Sequence, residues 1–467
     1  MSESSPIFAV VLAAGKGTRM KSNRAKVLHT LCGVPMVNYV IGATRPLLPE
    51  GLFVVVGHQA ELVEAVLPED AQAVLQEEQL GTGDAVRVAL AAIQEQNEGV
   101  LLVVNGDGPL ISDRTLGELV NRHRSAGVGA TVLVAELDDP SGLGRVVEDA
   151  GLVRIVEERD ATESERAIRL VNLGLYAFEL SEIREAVGGL TAENESGELY
   201  LTDVLETIGR RSRAVTYRLK DLEEANLVND RAQLARAEEI LRRRILDAHM
   251  RDGVTVRDPA STHIEASVEI KHDTVILPGT LLRGETRIGT DCVIGPSTDL
   301  QDTYVGDGAL VEHSVGRGAE VGDGASVGPY SFLRPGTVLE EGAKVGAYCE
   351  VKNSRVGTGS KVPHLSYVGD TEIGADANLG AGTITANYDG VDKHRTTIRD
   401  GAFTGVDTTL VAPVTVGEDA YTGAGSVINK DVPPGKLAVG SPARAIRDSP
   451  QRRRKRQNGP NENETEG

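Results

Sequence analysis

The feature that most constrains this chain is a six-residue repeat in its second half. Branched aliphatic residues recur every six positions in three successive runs, which are Ile264, Ile270, Ile276, Leu282, Ile288 and Ile294; Val315, Val321, Val327, Leu333, Leu339, Val345 and Val351; and Val356, Val362 and Val368. This period matches neither the ~3.6 residues of a helical turn nor the simple alternation of a strand. It predicts equivalent rungs with a turn inside each repeat, and therefore a triangular parallel β-helix whose aliphatic side chains stack from coil to coil.

Composition agrees with this prediction. The chain has 53 glycines, 5 phenylalanines and no tryptophan among 467 residues, so small aliphatic groups must fill much of its interior. The segment ANYDGVDKHRT, residues 386–396, breaks the period and leaves the coil. We expect functional residues there, because loops held by a rigid scaffold commonly carry binding and catalysis.

The first half alternates short apolar runs, such as FAVVLAAG and VLLVVNGD, with polar helical stretches. This pattern predicts an α/β domain with a mainly parallel sheet, whose ligands bind beyond the carboxyl ends of the strands. A glycine-rich cationic loop follows the first run, although it matches neither the P-loop nor the dinucleotide fingerprint. Asp107 follows another run and could hold Mg²⁺ against phosphate oxygens. Taken alone, the loop favours a solvated basic turn and Asp107 favours an ordinary Asp-Gly turn.

Charge and cysteine usage exclude several classes of protein. A formal net charge of -20 argues against general nucleic-acid binding, which needs a basic surface. The three scattered cysteines form no CxxC pair, which indicates a reducing compartment without disulfides or a zinc site. No apolar stretch approaches the length of a membrane span, and the opening apolar run lacks the basic flank of a secretory signal. We therefore expect a cytoplasmic protein without a membrane span.

Several motifs together carry a family resemblance. The segments LAAGKGTRM, LGTGDA, NGDGPL, GLGRVV, IVEERDA, LVNLG and NDR precede HLSYVGD and GAGTITANYDG. This set resembles the bacterial family of bifunctional UDP-N-acetylglucosamine pyrophosphorylases and glucosamine-1-phosphate N-acetyltransferases. LAAGKGTRM alone indicates only a sugar nucleotidyltransferase, whereas the last two segments narrow the resemblance to the bifunctional family.

The resemblance covers nearly all of the chain except about the last twenty residues, and it implies a division into domains. Residues 1–231 would form a Rossmann-like nucleotidyltransferase domain, 232–252 a linker helix, and 253–447 a left-handed β-helix acetyltransferase domain. The polar tail, 448–467, is predicted to be disordered because it combines a basic block with few apolar residues.

The activity implied for the first domain joins UTP to N-acetylglucosamine-1-phosphate and releases pyrophosphate. Arg19 and Lys26 would stabilise the triphosphate and the departing pyrophosphate, and Asp107 and Asn229 would hold Mg²⁺. The nucleotide and sugar positions implied by the resemblance are Leu12, Ala13, Ala14, Gly15, Lys26, Gln76, Gly81, Thr82, Asn105, Gly106, Asp107, Gly144, Glu157, Asn172 and Asn229.

The activity implied for the second domain acetylates glucosamine-1-phosphate with acetyl-CoA and so supplies the first domain with its substrate. His364 would take the amine proton, a role that suits a neutral imidazole. The implied sugar-phosphate positions are Arg334, Lys352, Tyr367, Asn378, Asn387 and Tyr388, and the implied acetyl-CoA positions are Ala381, Val406, Ala424 and Ser441. The cofactor groove lies between neighbouring chains in the family, which implies a homotrimer. The product would serve peptidoglycan and other cell-envelope polysaccharides.

Some positions depart from the family pattern. Ala25 replaces the usual proline before the lysine, Asp84 replaces a histidine, Val406 stands where a serine is common, and Ser441 stands where an arginine often occurs. Gly108 and Leu173 also differ from the common residues beside the metal-binding Asp and the sugar-binding Asn.

Two alternatives compete with the bifunctional interpretation. In one, the coil is only a regulatory or assembly module; His364, Lys352 and the loop at Asn387 count against it. In the other, the chain is a non-catalytic scaffold, which the combination of Arg19, Lys26, Asp107 and Asn229 disfavours.

Overall fold

The computed structural model describes residues 5–93, 96–149 and 152–448. The chain divides into two compact units, Met1–Leu241 and Arg242–Gly467. The segment predicted as a linker, 232–252, lies largely within one long helix, Arg231–Arg251, and the division between the units falls inside this helix. The tail predicted to be disordered, 448–467, lies outside the described residues except for Asp448, which ends the last strand.

The first unit is built from alternating strands and helices. Its strands are β1 (Ile7–Leu12), β2 (Thr30–Leu31), β3 (Val34–Pro35), β4 (Gly51–Val56), β5 (Gln72–Leu75), β6 (Val100–Asn105), β7 (Ala130–Glu136), β8 (Arg145–Asp149), β9 (Leu152–Val156), β10 (Leu170–Glu179) and β11 (Ala214–Arg218). Its helices are α1 (Met36–Thr44), α2 (Ala60–Glu64), α3 (Thr82–Ala92), α4 (Asp113–Ala126), α5 (Glu163–Arg166), α6 (Leu180–Val187), α7 (Val204–Ser212) and the start of α8 (Arg231–Arg251).

The main sheet of the first unit has the order β11-β7-β10-β6-β1-β4-β5. Strands β6, β1, β4 and β5 run parallel to one another, as predicted for an α/β domain. Strand β10 runs antiparallel to both β6 and β7. Only the short helix α5 separates β10 from the β8-β9 hairpin, and strands joined by such short connections are usually antiparallel.

Helices cover both faces of this sheet. Alternate residues of β1 belong to different buried clusters, with Ala9 and Val11 packing beneath α1 and α4, and Phe8 and Val10 packing beneath α3, α6 and α7. Burial on both faces explains the continuous apolar runs of the central strands. The register sets Leu12 opposite Asn105, so the loops that follow β1 and β6 lie side by side.

The second unit is a coil of short parallel strands arranged in three sheets. The first sheet contains Thr255–Val256, Val275–Ile276, Val293–Ile294, Leu310–Val311, Ser326–Val327, Lys344–Ala347 and Lys361–His364. The second contains His263–Ile264, Leu281–Arg283, Asp299–Gln301, Val315–Arg317, Phe332–Leu333, Glu350–Lys352, Tyr367–Gly369, Ile384–Ala386, Thr409–Val411 and Val427–Ile428. The third contains Glu269–Ile270, Arg287–Ile288, Tyr304–Val305, Glu320–Val321, Val338–Leu339, Arg355–Val356, Thr371–Ile373, Thr396–Ile398 and Val414–Val416.

The predicted rungs stack inside this coil and confirm the parallel β-helix. Ile276 pairs with Ile294, and Val345 pairs with Val362 in the next coil. One continuous cluster of small aliphatic side chains runs along the interior. A three-stranded sheet joins Tyr421–Thr422 of the last coil to Lys436–Gly440 and Ala443–Asp448.

The predicted rung at Val315 is wrong. The neighbouring Gly316 is buried and takes the inward position, paired with Leu300 on one side and Leu333 on the other, while Val315 is only half-buried. The reason is steric, because a Cβ on Gly316 would lie 2.8 Å from Cδ2 of Leu300. The Leu300 side chain therefore fills the space that a branched residue would otherwise occupy.

The segment that breaks the repeat leaves the coil as predicted. Residues 387–395 lie between the strands Ile384–Ala386 and Thr396–Ile398 of adjacent sheets. The loop has its own internal bonds: Tyr388 Oη donates to the carbonyl oxygen of Gly390 at 2.7 Å, and a ring nitrogen of His394 lies 2.7 Å from a carboxylate oxygen of Asp389. The loop is therefore a structured excursion from the coil.

Candidate active sites

A large cavity opens at the carboxyl ends of β1 and β6, with a volume of ≈ 890 Å³. The predicted residues that line it are Leu12, Ala13, Ala14, Gly15, Arg19, Lys26, Gln76, Gly81, Thr82, Asn105, Asp107, Gly144, Glu157, Asn172 and Asn229. Gly106 is the one predicted residue outside this lining. Its N–H donates to the carbonyl oxygen of Leu12 at 2.9 Å, so it joins the ends of the two strands behind the cavity wall.

Residues distant in the sequence meet at one end of this cavity. Lys26 Nζ donates to Asp107 Oδ2 at 2.5 Å and to Asn229 Oδ1 at 3.1 Å. Arg19 Nη2 also donates to Asn229 Oδ1, at 2.8 Å. Asp107 follows β6, and Asn229 lies just before α8. Both predicted metal ligands therefore lie within reach of the same lysine.

The carboxylate of Asp107 is only half satisfied. Its Oδ1 is buried and has no hydrogen-bond partner among the described residues. An unpaired buried oxygen costs free energy, about 1–3 kcal/mol for a typical polar group. Carboxylate and amide oxygens are also the protein ligands that suit Mg²⁺. The donor set of Asp107 and Asn229 therefore fits a hard divalent cation.

Another part of the cavity is formed by Gln76 and the loop before α3. Gln76 is buried, and its Nε2 donates to Asp84 Oδ2 at 2.8 Å and to the carbonyl oxygen of Gly81 at 3.1 Å. Gly81 has φ +122°, and a Cβ there would lie 2.5 Å from the carbonyl oxygen of Leu199. Only glycine fits this approach of two backbones.

The remaining predicted residues of the first unit meet at a bulge in β10. Asn172 Nδ2 donates to Tyr176 Oη at 2.7 Å, and Asn172 Oδ1 accepts from the N–H of Gly174 at 3.0 Å. The backbone N–H of Asn172 donates to the carbonyl oxygen of Gly144 at 2.9 Å. Burial raises the pKa of the Glu157 carboxyl, and the nearby acidic residues Asp160, Asp203 and Glu198 raise it further.

In the second unit, His364 is the last residue of the strand Lys361–His364, and it is exposed. Three of the other predicted residues stack with it on one corner of successive coils. The carbonyl oxygen of His364 accepts from Gly382 N–H at 3.1 Å, that of Ala381 from Asp407 N–H at 2.7 Å, and that of Val406 from Gly425 N–H at 2.8 Å. This corner therefore aligns His364 with Ala381, Val406 and Ala424.

Ser441 lies beyond that column, in the turn of the C-terminal hairpin between Lys436–Gly440 and Ala443–Asp448. The N–H of the preceding Gly440 donates to Ser426 Oγ at 3.3 Å, which ties this turn to the coil that carries Ala424. Asn378 lies on the first sheet, where it forms bridges with Lys361 and Phe403.

A second group of predicted residues meets around Asp370. Its carboxylate accepts from Asn353 Nδ2 at 2.6 Å and from Asn387 Nδ2 at 2.5 Å. A Cβ on Gly369 would lie 2.5 Å from Tyr367 Oη and 2.8 Å from Asn387 Nδ2, so the absent side chain lets Tyr367 and Asn387 approach each other. Burial opposes ionisation of Asp370, but the two amide bonds and the neighbouring lysines outweigh it and lower the pKa of this carboxyl.

The predicted cations of this unit have different partners. Arg334 Nη1 donates to Glu350 Oε1 at 2.9 Å, and Glu350 pairs with Tyr367 in the next coil. Lys352 lies beside Lys393, and the close approach and positive charge of Lys352 lower the pKa of Lys393. Tyr388 is 59% exposed on the excursion loop. Two ammonium groups held close together form a site suited to an anion.

Known proteins match this chain over part of the first unit in one comparison and over most of its length in another. A family model described as a MobA-like NTP transferase domain matches residues 9–169. The chain is 80% identical over 446 residues to the bifunctional protein GlmU of Rubrobacter xylanophilus, which covers 96% of this chain and 95% of that protein. The GlmU proteins of Brevibacillus brevis and Mycobacterium bovis are 49% and 48% identical, over 93% and 95% of this chain and 95% and 92% of their own lengths. The chain belongs to the GlmU family.

This membership confirms the predicted family, fold class and activities. The chain acetylates glucosamine-1-phosphate and transfers uridylyl to N-acetylglucosamine-1-phosphate, making UDP-N-acetylglucosamine for peptidoglycan precursor synthesis. The two alternatives, a purely regulatory coil and a non-catalytic scaffold, are therefore not retained. Among the described residues, none of the helices has the length and apolar character needed to cross a bilayer.

Two residues that lie beside the predicted ones, Tyr176 and Lys393, were not predicted from the sequence. Tyr176 lines the cavity and accepts from Asn172, yet it lies within a buried strand where nothing local distinguishes it from a core residue. Lys393 lies beside Lys352. Lys393 belongs to the loop that breaks the repeat and is close to Asn387 in the sequence, and this position indicates a further cation near the predicted phosphate-binding residues.

Proposed function

We propose that uridylyl transfer takes place in the ≈ 890 Å³ cavity, with Arg19 and Lys26 as the residues that neutralise the reacting phosphates. An oxygen of the sugar phosphate attacks the α-phosphorus of UTP, and the bond to the bridging oxygen of the β-phosphate breaks as pyrophosphate leaves. Such a reaction depends on positioning and charge stabilisation rather than on covalent chemistry by the protein. The observation that carries this proposal is the convergence of Lys26 Nζ on Asp107 and Asn229.

Asp107 and Asn229 would hold Mg²⁺, since the buried and unpaired Asp107 Oδ1 supplies a ligand that no described protein group uses. When bound, Mg²⁺ neutralises charge on phosphate oxygens. The backbone of 12–15 and of 105–106 would border the nucleotide, because these segments form the ends of β1 and β6. Gln76, Gly81 and Thr82 would contact the uracil, and Gly144, Glu157 and Asn172 would contact the sugar.

Acetyl transfer would take place at the exposed His364 of the coil. The imidazole accepts a proton from the amine of glucosamine-1-phosphate as the amine attacks the thioester carbonyl, and the thiolate of coenzyme A leaves. Arg334 and Lys352 would hold the phosphate, assisted by Lys393. Tyr367, Asn378, Asn387 and Tyr388 would border the sugar, and acetyl-CoA would lie along Ala381, Val406, Ala424 and Ser441.

An exposed apolar ridge beside His364 supports a homotrimer. Tyr330, Tyr348 and Leu365 follow one another on successive coils at a corner of the coil, with exposures of 56%, 60% and 64%. The rings of Tyr330 and Tyr348 stack with centroids 5.2 Å apart. A large aromatic surface of this kind indicates a protein interface, and its contact with the active-site corner favours a second copy of the chain. A cytoplasmic location follows from the substrates, UTP and acetyl-CoA, and agrees with three buried cysteine thiols.

The test uses the two reactions of one chain. Purified enzyme is given acetyl-CoA and glucosamine-1-phosphate, and release of coenzyme A thiol is measured; pyrophosphate release from UTP and N-acetylglucosamine-1-phosphate is measured separately. Lys26→Ala is expected to abolish pyrophosphate release and leave thiol release intact. His364→Ala should reduce thiol release by about 10²-fold or more and leave pyrophosphate release intact. Undiminished thiol release in His364→Ala would contradict the assignment, and sedimentation showing monomers at assay concentration would contradict the trimer.

A further inference from the structure

The side-chain amide of Gln76 can adopt only one of its two orientations. Its two N–H groups point at two acceptors, the Asp84 carboxylate at 2.8 Å and the carbonyl oxygen of Gly81 at 3.1 Å. If the amide turned over, its oxygen would face a carboxylate oxygen and a carbonyl oxygen, neither of which carries a hydrogen. The Oε1 atom is therefore the group that Gln76 keeps for a ligand of the cavity it lines.

Asp84 is held in place for this contact. The residue is 3% exposed, and its second carboxylate oxygen pairs with Arg87, which balances the buried charge. Asp84 itself is not part of the cavity lining, so it reaches a ligand only through Gln76. The position is one of those at which this chain departs from the family pattern.

We infer that Asp84 is a positioning residue that fixes Gln76 Oε1 as an acceptor and so selects a pyrimidine base whose N3 carries a hydrogen. This inference rests on the proposed contact between Gln76 and the base. Uracil offers N3–H as a donor, whereas the same atom of cytosine is a lone pair that a fixed oxygen repels. An amide free to turn over could offer N–H to cytosine instead, so discrimination depends on the fixed orientation and not on Gln76 alone.

The test replaces Asp84 by a side chain of the same shape that no longer dictates the orientation. In Asp84→Asn the new amide can either accept from Gln76 or donate to it. We expect the ratio of kcat/KM for UTP over CTP, with N-acetylglucosamine-1-phosphate as co-substrate, to fall about tenfold, the value of one hydrogen bond to a charged group. The ratio for UTP over dTTP should stay within about twofold of the wild-type value, because thymine keeps N3–H. Both ratios are measured in one preparation and are independent of the fraction of folded protein.

A matched variant separates this inference from the proposed function. Gln76→Ala removes the acceptor itself and should lower the UTP over CTP ratio at least as far as Asp84→Asn. If Gln76→Ala lowers the ratio and Asp84→Asn leaves it unchanged, the positioning role is overturned while the base contact stands. If neither variant changes the ratio, the base does not lie against Gln76, and both statements fail. If Asp84→Asn lowers the UTP over CTP ratio and the UTP over dTTP ratio equally, the base pocket has lost selectivity in general, and the inference is also overturned.

Discussion

The loop that carries Lys26 is held by the side chain of Gln59, and this contact gives a prediction that can be worked out in detail. Gln59 Oε1 accepts from the backbone N–H of Ala25 at 2.8 Å, and its Nε2 donates to the carbonyl oxygen of Asn23 at 2.7 Å. Ala25 stands where the family usually has a proline, which has no N–H to donate. In this chain a two-sided amide contact replaces the rigidity that a proline ring would supply.

The expected cost of Gln59→Ala follows from how exposed each of the two backbone groups is. Ala25 is 0% exposed, so Gln59→Ala leaves a buried N–H without its acceptor, which costs about 1–3 kcal/mol. Asn23 is exposed, so water can replace the bond to its carbonyl oxygen at little cost. Ala25 has φ -54° and ψ 141°, which a proline adopts without strain. In an Ala25→Pro background no N–H remains, and Gln59→Ala should then cost less than about 0.5 kcal/mol.

The measurement is a double-mutant cycle on the full chain. Urea unfolding of the first unit is followed by the helical circular dichroism signal, because the coil of the second unit consists mainly of short strands. We expect a coupling free energy of about 1–2 kcal/mol between Gln59→Ala and Ala25→Pro. Because Ala25 precedes Lys26 directly, kcat/KM for UTP should fall in Gln59→Ala and recover in the double variant. An equal cost of Gln59→Ala in both backgrounds would refute the reasoning.

Three further predictions concern other parts of the molecule. Burial and neighbouring carboxylates raise the pKa of Glu157, so its ionised form at neutral pH destabilises the first unit. Glu157→Gln should therefore raise the urea midpoint at pH 7.5. This gain should vanish as the pH falls below the ordinary glutamate pKa of about 4.3, where Glu157 is protonated in both the folded and the unfolded protein. Lys393→Ala should raise KM for glucosamine-1-phosphate about tenfold in the thiol-release assay with kcat little changed, since it removes one charge-assisted contact. Ile294→Ala, at a fully buried rung, should lower the free energy of unfolding of the coil by about 2–5 kcal/mol in thermal or urea melts.

The coil was predictable because each of its repeats is specified by residues close together in the sequence. Each rung needs one aliphatic side chain pointing inward, so the repeat is written into the sequence at a constant interval. The prediction failed at Val315, where the interior position belongs to Gly316. The cause is the size of Leu300 in the previous coil, which a periodic pattern does not record.

The cavity of the first unit was predictable in a different way. Its residues lie at the ends of strands, and an α/β pattern places such ends together, so Asp107 and the cationic loop could be assigned to one site. Asn229 lies 203 residues after Lys26, and no local pattern joins them; only the family resemblance brought them into one set. Motifs shared by a family identify residues that meet in the fold even when their spacing in the sequence gives no indication of it.

The residues that support the site were the least predictable, and the reason is chemical. Gln59 and Asp84 touch no expected ligand, and their importance comes from the direction of a single side-chain or backbone N–H. Both contacts occur at positions where the chain departs from its family, at Ala25 and at Asp84. When a substitution near a site removes a rigid group, another residue must orient the backbone or side-chain amide that remains. Departures from a motif therefore indicate where to search for such supporting contacts, even though the sequence does not identify the partner.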